Sequence, residues 1–252
     1  MRILSLIPAR MGSSRFPGKP MAELLGKPMI KHVYDRVSSC AMVDLTVVAT
    51  CDAEIYDYIN SNGGKAVMTS ATHERASDRC AEALEIIEEL EGNIFDIVVM
   101  VQGDEPLVEP EMLIEAIAPM LQDPKIDVVN LLGKIKDNNE FNDRNCIKVV
   151  CDLNQDALYF SREPIPHTNN NDENRGGKQV CIIPFRRDFL IEYTKMMPTP
   201  LEVIESVDML RILEHGRKVR MVHTEYENQS VDTPEDLLRV EKLMKASLTR
   251  QS

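Results

Sequence analysis

The chain has 252 residues, 43% of them hydrophobic, enough for a sizeable core in one large α/β domain or a domain with a small appendage. Its formal net charge of -12 argues against a nucleic-acid or anionic-membrane surface, since either wants a basic face. The six cysteines (Cys40, Cys51, Cys80, Cys146, Cys151 and Cys181) form no CxxC pair and the five histidines lack ligand spacing, which speaks against zinc and for scattered core thiols of a cytoplasmic protein. No stretch reads as membrane-spanning, and the apolar start breaks at Pro8 and Arg10, too soon for a signal-peptide core.

Ile3 to Ile7 reads as a buried first strand, and it runs into Ile7 to Pro20, IPARMGSSRFPGKP. This stretch holds three cations (Arg10, Arg15 and Lys19), two glycines, two adjacent serines and no acid. Glycines let backbone N–H groups approach an anion, and Arg and Lys offset its charge, so a polyphosphate is the natural guest. It is not a Walker loop. Five residues separate Gly12 from Gly18 where that loop has four, and Pro20 stands where its magnesium-holding hydroxyl belongs. The plain alternative is a basic surface loop. Against it, the exit of a first strand is where open α/β sheets bind ligands.

Ile30, Val33 and Val37 predict a helix from about Pro28 to Cys40, and Asp44 to Ala49 a buried parallel strand. Ala53 to Asn62 reads as a helix closed by Gly63-Gly64, and Ala66 to Met68 as a short strand. Cys80, Leu84 and Ile87 put an apolar stripe on a helix ending near Gly92. Ile97 to Val101 is the most hydrophobic strand, and Glu109 to Asp123 is a further helix. Cys146 to Cys151 and Ala157 to Ser161 read as strands paired across a turn at Asn154-Gln155. The polar tract Asn169 to Gly177 reads as an exposed mobile loop. Val180 to Pro184 reads as a strand, Arg187 to Met196 and Glu202 to Glu214 as helices, and Arg220 to His223 as a short strand. Thr233-Pro234-Glu235-Asp236 is a strong helix start. The order implies an α/β fold with a mixed, mostly parallel sheet and flanking helices. No repeat or interdomain linker stands out.

Asp104 lies just past the end of the Ile97–Val101 strand, in Gln102-Gly103-Asp104-Glu105-Pro106. A carboxylate there suits a magnesium ion that binds through one or two carboxylates plus substrate phosphates. Asp232, before the last helix, offers the second carboxylate. Taken alone, each reads equally as a turn or helix-end aspartate.

Together these pieces resemble the 3-deoxy-manno-octulosonate cytidylyltransferase (CMP-Kdo synthetase) family over nearly the whole chain. The matching segments are IPARMGSSRFPGKP, Gly26 to Arg36 (GKPMIKHVYDR), Gly63 to Ser70, Val101 to Leu107 (VQGDEPL), Ile147 to Asp152, Ala157 to Pro166 (ALYFSREPIP) and Val231 to Leu237 (VDTPEDL). The resemblance implies a nucleotidyltransferase of glycosyltransferase-A-like fold, in which CTP and an acidic sugar give a CMP-sugar and pyrophosphate, in service of lipopolysaccharide biosynthesis. It implies one domain, with a nucleotide part up to about residue 135 and an acceptor and dimerisation part over about 136–225, and a homodimer. Arg10, Ser13, Arg15 and Lys19 would hold the triphosphate, and Asp78, Arg79 and Gln102 would border the nucleotide. Arg15, Lys19 and Asp104 would carry catalysis, with Asp104 and Asp232 on magnesium. Arg162 would pair the sugar carboxylate, with Gln179, Ile183, Asp208 and Met209 around the acceptor.

The chain departs from the family pattern in places. The HxSGTDR stretch becomes His73 to Arg79 with Arg75 and Ala76 for Ser and Gly. Gln179 and Ile183 stand for a sugar-facing His and Tyr, and Asp208 and Met209 for Glu and Gln. These changes imply an acceptor pocket that prefers a modified ulosonic acid, or another small acid, to Kdo. The alternatives are CTP-dependent activation of a different anion and a silent nucleotide-binding protein.

Overall fold

The computed structural model describes residues 1–13, 15–168 and 176–251. It divides into two compact units: Met1–Ile114 with Glu227–Ser252, and Glu115–Tyr226.

In the first unit, β1 (Ile3–Ala9) is buried along its whole length, as a strand covered on both faces must be. A single 3-10 turn (Lys19–Met21) leads to a hairpin of β2 (Glu23–Leu24) and β3 (Lys27–Pro28) and then to α1 (Met29–Ser38). β4 (Leu45–Thr50), α2 (Ala53–Ser61), β5 (Ala66–Met68), α3 (Ala76–Glu91) and β6 (Ile97–Val101) follow. The strands lie in the order β6-β1-β4-β5, and each of these pairs is parallel. α1 turns Met29, Ile30, Val33, Tyr34 and Val37 inward, and α3 buries Cys80, Leu84 and Ile87, the stripe expected of it. Gly92, at φ 64°, ends α3 in the left-handed region that suits glycine.

α4 (Pro110–Gln122) leads onward to the second unit, which contains β7 (Val129–Lys134), α5 (Asn138–Asn142), β8 (Lys148–Cys151), β9 (Ala157–Ser161), β10 (Gly177–Val180) and β11 (Ile182–Arg186). It continues through α6 (Arg187–Lys195), α7 (Pro200–Glu205), α8 (Met209–Glu214) and β12 (Arg220–Thr224). Its sheet runs β12-β7-β10-β8-β9; β12 joins β7 in parallel and the other ladders are antiparallel. The aromatic rings of Phe185, Phe189 and Tyr193 stack at centroid distances of 5.9–6.5 Å in its core.

Two elements differ from expectation. The strand expected over Val180 to Pro184 is two strands separated at Cys181 that belong to different sheets, and the Val180 carbonyl at the break accepts from the Asn130 side chain at 2.6 Å. The helix expected over Glu202 to Glu214 is α7 and α8, broken at Ser206 with φ 52°. The physical reason is a guanidinium: Arg162 donates to the Glu205 and Ser206 carbonyls at 2.6 and 3.1 Å, taking acceptors that a continuing helix would use. β7 and α5 had no counterpart in the sequence reading, and most of the polar tract expected as a loop lies outside the described residues.

α9 (Pro234–Gln251) closes the chain in the first unit. Val240 and Met244 pack with Leu24, Met29, Leu107 and Val231, flanked by Phe16 and Leu25. That cluster seats the last helix against the residues that follow β1. Met29 is fully buried in it, so Met29→Ala should destabilise the protein by about 2–5 kcal/mol through lost transfer energy and a residual cavity. Urea unfolding checks this, with exposed Leu90→Ala as a control expected within about 0.5 kcal/mol of the parent.

Candidate active site

The segment after β1 is a closed loop. The Met11 carbonyl accepts from the Ser13 and Gly18 amides at 2.9 and 3.0 Å, and the Met11 amide donates to the Asp52 carboxylate at 2.8 Å. Gly18 has φ 73°, a conformation that glycine adopts without strain, and it turns the chain into Lys19. The Ser13 hydroxyl accepts from the Phe16 amide at 3.3 Å, and Arg10 is exposed.

Asp104 approaches this loop because Gly103 permits it. A Cβ at Gly103 would lie 3.0 Å from the Ile30 side chain and 3.1 Å from the Pro8 carbonyl, tighter than side chains normally pack. The turn after β6 can therefore lie against the end of β1. Asp232 arrives from the other side, on the residues leading into α9.

The three meet on one ammonium. Lys19 Nζ lies 2.6 Å from Asp104 Oδ2 and 3.5 Å from Asp232 Oδ1, and the Arg15 guanidinium lies 2.9 Å from the same Asp232 oxygen. Burial alone would lower the Lys19 pKa, but the charge and hydrogen bond of Asp104, joined by Asp232, outweigh it and hold the ammonium above its ordinary value. Two carboxylates converging on one point are a donor set that would fit a hard divalent ion, and here the Lys19 ammonium supplies the positive charge between them. Among the described residues no group of three or more His, Cys, Asp or Glu could hold a metal, so substrate oxygens and water would complete its shell.

The other expected nucleotide residues are in the same unit. Arg79 is 3% exposed and donates to Thr69 Oγ1 at 2.5 Å and the Ser70 carbonyl at 3.3 Å. Gln102 is half-buried and accepts the Glu105 amide at 3.2 Å through its carbonyl. Asp78 is held in a two-pronged ion pair by Arg75, at 2.9 and 2.5 Å. Arg75 therefore does not add an uncompensated cation; its charge is matched within the first turn of α3.

The expected acceptor residues lie in the second unit. Of the five N–H donors of the Arg162 guanidinium, three face the carbonyls of Glu205, Ser206 and Arg144 at 2.6–3.1 Å. Two remain for a carboxylate. Glu205 holds the rest of the motif, accepting from the Arg162 amide, the Ser161 hydroxyl and the Tyr159 hydroxyl. Gln179 is half-buried and donates to Asn130 at 2.7 Å. Ile183 and Met209 are 2% and 1% exposed, and the Asp208 carbonyl accepts from the Tyr193 hydroxyl at 2.9 Å. Ile183 and Met209 are core side chains here, so only Gln179 and Asp208 among these four keep some surface.

The sequence reading missed Asp52, which anchors the loop, Glu205, and Asp236, whose carboxylate accepts from the Asp232 and Thr233 amides. The Thr-Pro-Glu-Asp helix start was the available signal for Asp236; the other two carry none. None of the six cysteines forms a disulfide, and burial above all pushes Cys146 and Cys151 up to about 11, so neither is a ready nucleophile.

A cytidylyltransferase family model matches residues 4–219. The 3-deoxy-manno-octulosonate cytidylyltransferase of Geobacter metallireducens is 45% identical over 96% of this chain and 98% of its own length. The chain belongs to the 3-deoxy-manno-octulosonate cytidylyltransferase family. It is a nucleotidyltransferase. The family member of Trichlorobacter lovleyi is 42% identical over 97% of this chain. A solved CMP:2-keto-3-deoxy-manno-octonic acid synthetase complexed with CTP superposes with a TM-score of 0.89 at 38% identity, covering 98% of this chain and all of its own. A 4-diphosphocytidyl-2C-methyl-D-erythritol synthase from Anaerococcus prevotii, 17% identical with a TM-score of 0.62, shares the fold alone.

The Lys19 pair gives a signed pH dependence. Its folded pKa is raised above 10.5, so its contribution to stability is fully present below about pH 10.5 and fades as pH rises through the folded value. The difference in urea midpoint between the parent and Lys19→Met should hold constant from pH 7 to 9 and shrink above about pH 10.5. A difference independent of pH to 12 contradicts the pairing.

Proposed function

We propose that this family member transfers CMP from CTP to a Kdo-like acidic sugar, releasing pyrophosphate, and that its CMP-sugar serves lipopolysaccharide biosynthesis. The observation that carries the reading is the convergence of Lys19, Asp104 and Asp232 beside a cationic loop in a chain with family motifs. The sugar's anomeric hydroxyl attacks the α-phosphorus, the new O–P bond forms as the bond to pyrophosphate breaks, and the hydroxyl proton passes to solvent. Negative charge grows on the α-phosphoryl oxygens and on the departing pyrophosphate. Catalysis of such a transfer is mainly positioning and preset positive charge.

In this reading Arg10, Ser13, Arg15 and Lys19 bind the triphosphate, and Arg15 and Lys19 exchange their carboxylate partners for phosphate oxygens. Asp78, Arg79 and Gln102 border the nucleotide. Asp104 and Asp232 hold magnesium, which supplies Lewis-acid charge at the phosphates. Arg162, with two N–H groups left, takes the acceptor carboxylate, and Gln179 and Asp208 shape its surroundings, while Ile183 and Met209 are core side chains.

Kdo itself is the first candidate acceptor. The names of the 40–45% identical relatives favour it, and the burial of Ile183 and Met209 removes two reasons to expect another acid. Gln179 remains the one half-buried departure of a sugar-facing position to an uncharged amide. The screen is pyrophosphate release with CTP and a panel of ulosonic acids. Kdo should give the highest kcat/KM; an amino-substituted analogue exceeding it would return the preference to the altered positions. Asp104→Asn and Asp232→Asn should each lower turnover by about a hundredfold or more, while near-normal turnover in both would remove the metal assignment.

Six cysteines without a disulfide suit a reducing cytoplasm. A homodimer through the second unit fits its exposed apolar side chains: Leu153, Leu158, Val203 and Ile204 are 101%, 62%, 67% and 75% exposed, and β9 is a sheet edge. Light scattering should give twice the 28.6 kDa chain mass, and Leu158→Asp should shift it toward the monomer. A monomeric parent would overturn this.

A further inference from the structure

Asp104 and Asp232 come from distant parts of the chain, and two hydrogen bonds fasten their loops together. The Val231 amide donates to the Asp104 carbonyl at 2.9 Å, and the Ser230 hydroxyl donates to Glu105 Oε1 at 2.6 Å. Glu105 is 3% exposed, a buried carboxylate directly after a candidate metal ligand. Its own backbone is already fixed: its amide donates to the Gln102 carbonyl at 3.2 Å and its carbonyl accepts from Val108 at 3.0 Å. A buried carboxylate is costly unless something uses it, and here one oxygen holds the opposite loop.

The far side of Asp232 is clamped independently. The Asp236 carboxylate accepts from the Asp232 amide at 3.2 Å, the Thr233 amide at 3.0 Å and the Thr233 hydroxyl at 2.9 Å. Val231 is fully buried in the cluster with Leu107 and Val240, which fixes the depth of the loop. Apolar packing is non-directional, so the rotation of residues 230–232 is set by hydrogen bonds: the Val231 amide to Asp104 and the Asp236 clamp fix the backbone at 231–233, and residue 230 is left to its side chain. The bond from Ser230 to Glu105 is the directional side-chain contact that completes this set.

We propose that Glu105 is a positioning residue: through Ser230 it holds the 230–232 loop in the register that sets the Asp232 carboxylate beside that of Asp104. The inference rests on the reading of those two aspartates as the metal-holding pair. Adjacent acids thus divide their work, Asp104 toward the phosphates and Glu105 toward the protein. Loss of the partner that orients a ligating carboxylate costs about 10–100-fold in metal affinity.

The test is CTP affinity by calorimetry, once in Mn²⁺ and once in EDTA, and the ratio of the two values. Glu105→Ala should leave the EDTA affinity unchanged and cut the Mn²⁺ affinity by about 10–100-fold. Glu105→Gln, which keeps an acceptor oxygen for Ser230, should stay within about threefold of the parent, a rescue that a loss of general stability would not show. Ser230→Ala removes the same bond without removing a buried charge, and it should lower the ratio in the same direction should Glu105→Ala fail to fold. A folded Glu105→Ala or Ser230→Ala with the parental ratio overturns the inference, and so does an equal loss in Mn²⁺ and EDTA. Asp232→Asn is the control that separates the two readings. If it keeps the parental ratio, the metal assignment falls and takes this inference with it.

Discussion

Two ionised carboxylates brought to within reach of one point repel each other unless a cation sits between them, and several features of the first unit serve to place one there. At about 4 Å, like charges in a partly buried setting repel by several kcal/mol, so Asp104 and Asp232 need a positive charge at the point where they meet. Lys19 supplies it at 2.6 and 3.5 Å. To deliver it, the loop after β1 must close on the Met11 carbonyl and be tied to Asp52. To receive it, Gly103 must admit the β6 exit, and α9 must be packed on Leu24, Met29 and Leu107. Each of these features is an independent piece of chain, and the cation is where they agree.

In the second unit Arg211 pairs with the buried Glu202 at 2.6 Å, while two other cations, Arg162 and Lys148, are held by neutral carbonyls. Arg162 terminates α7 by taking the Glu205 and Ser206 carbonyls. Lys148 is fully buried and donates to the carbonyls of Asp143, Cys146 and Arg162 at 2.6–2.8 Å; burial is the chief cause that lowers its pKa. Carbonyls orient these groups without neutralising their charge. A guanidinium held in this way keeps its full charge for an anionic ligand and loses little entropy on binding one.

Most of the first unit was legible because its signals are local. A fully apolar strand, a 3.6-residue stripe and a glycine past a helix end give β1, β6, α1 and α3 without tertiary information. The cationic loop was legible because it stands against an acidic background. The second unit was harder. Nothing in Glu202 to Glu214 announces a break, since the break is made by a side chain some forty residues earlier. The split at Cys181 likewise separates strands of two sheets, and the side chain that meets the break, Asn130, is on another strand. Burial of Ile183 and Met209 was invisible for the same reason: a motif position shows which residue matches the family, not whether its side chain reaches a surface. Arg75 replaces a neutral serine of the family pattern, and its partner three residues on, Asp78, matches the charge it brings.

The central claim is that the Lys19 ammonium sits between two carboxylates, Asp104 and Asp232, that would hold a divalent ion when the triphosphate is bound. Anomalous diffraction at the manganese edge, on crystals grown with Mn²⁺ and CTP, tests it directly. The account predicts a peak within coordination distance of both Asp104 and Asp232, with the Lys19 nitrogen moved onto a phosphate oxygen. A peak on the phosphates alone, with Lys19 still bridging the two aspartates, would contradict it.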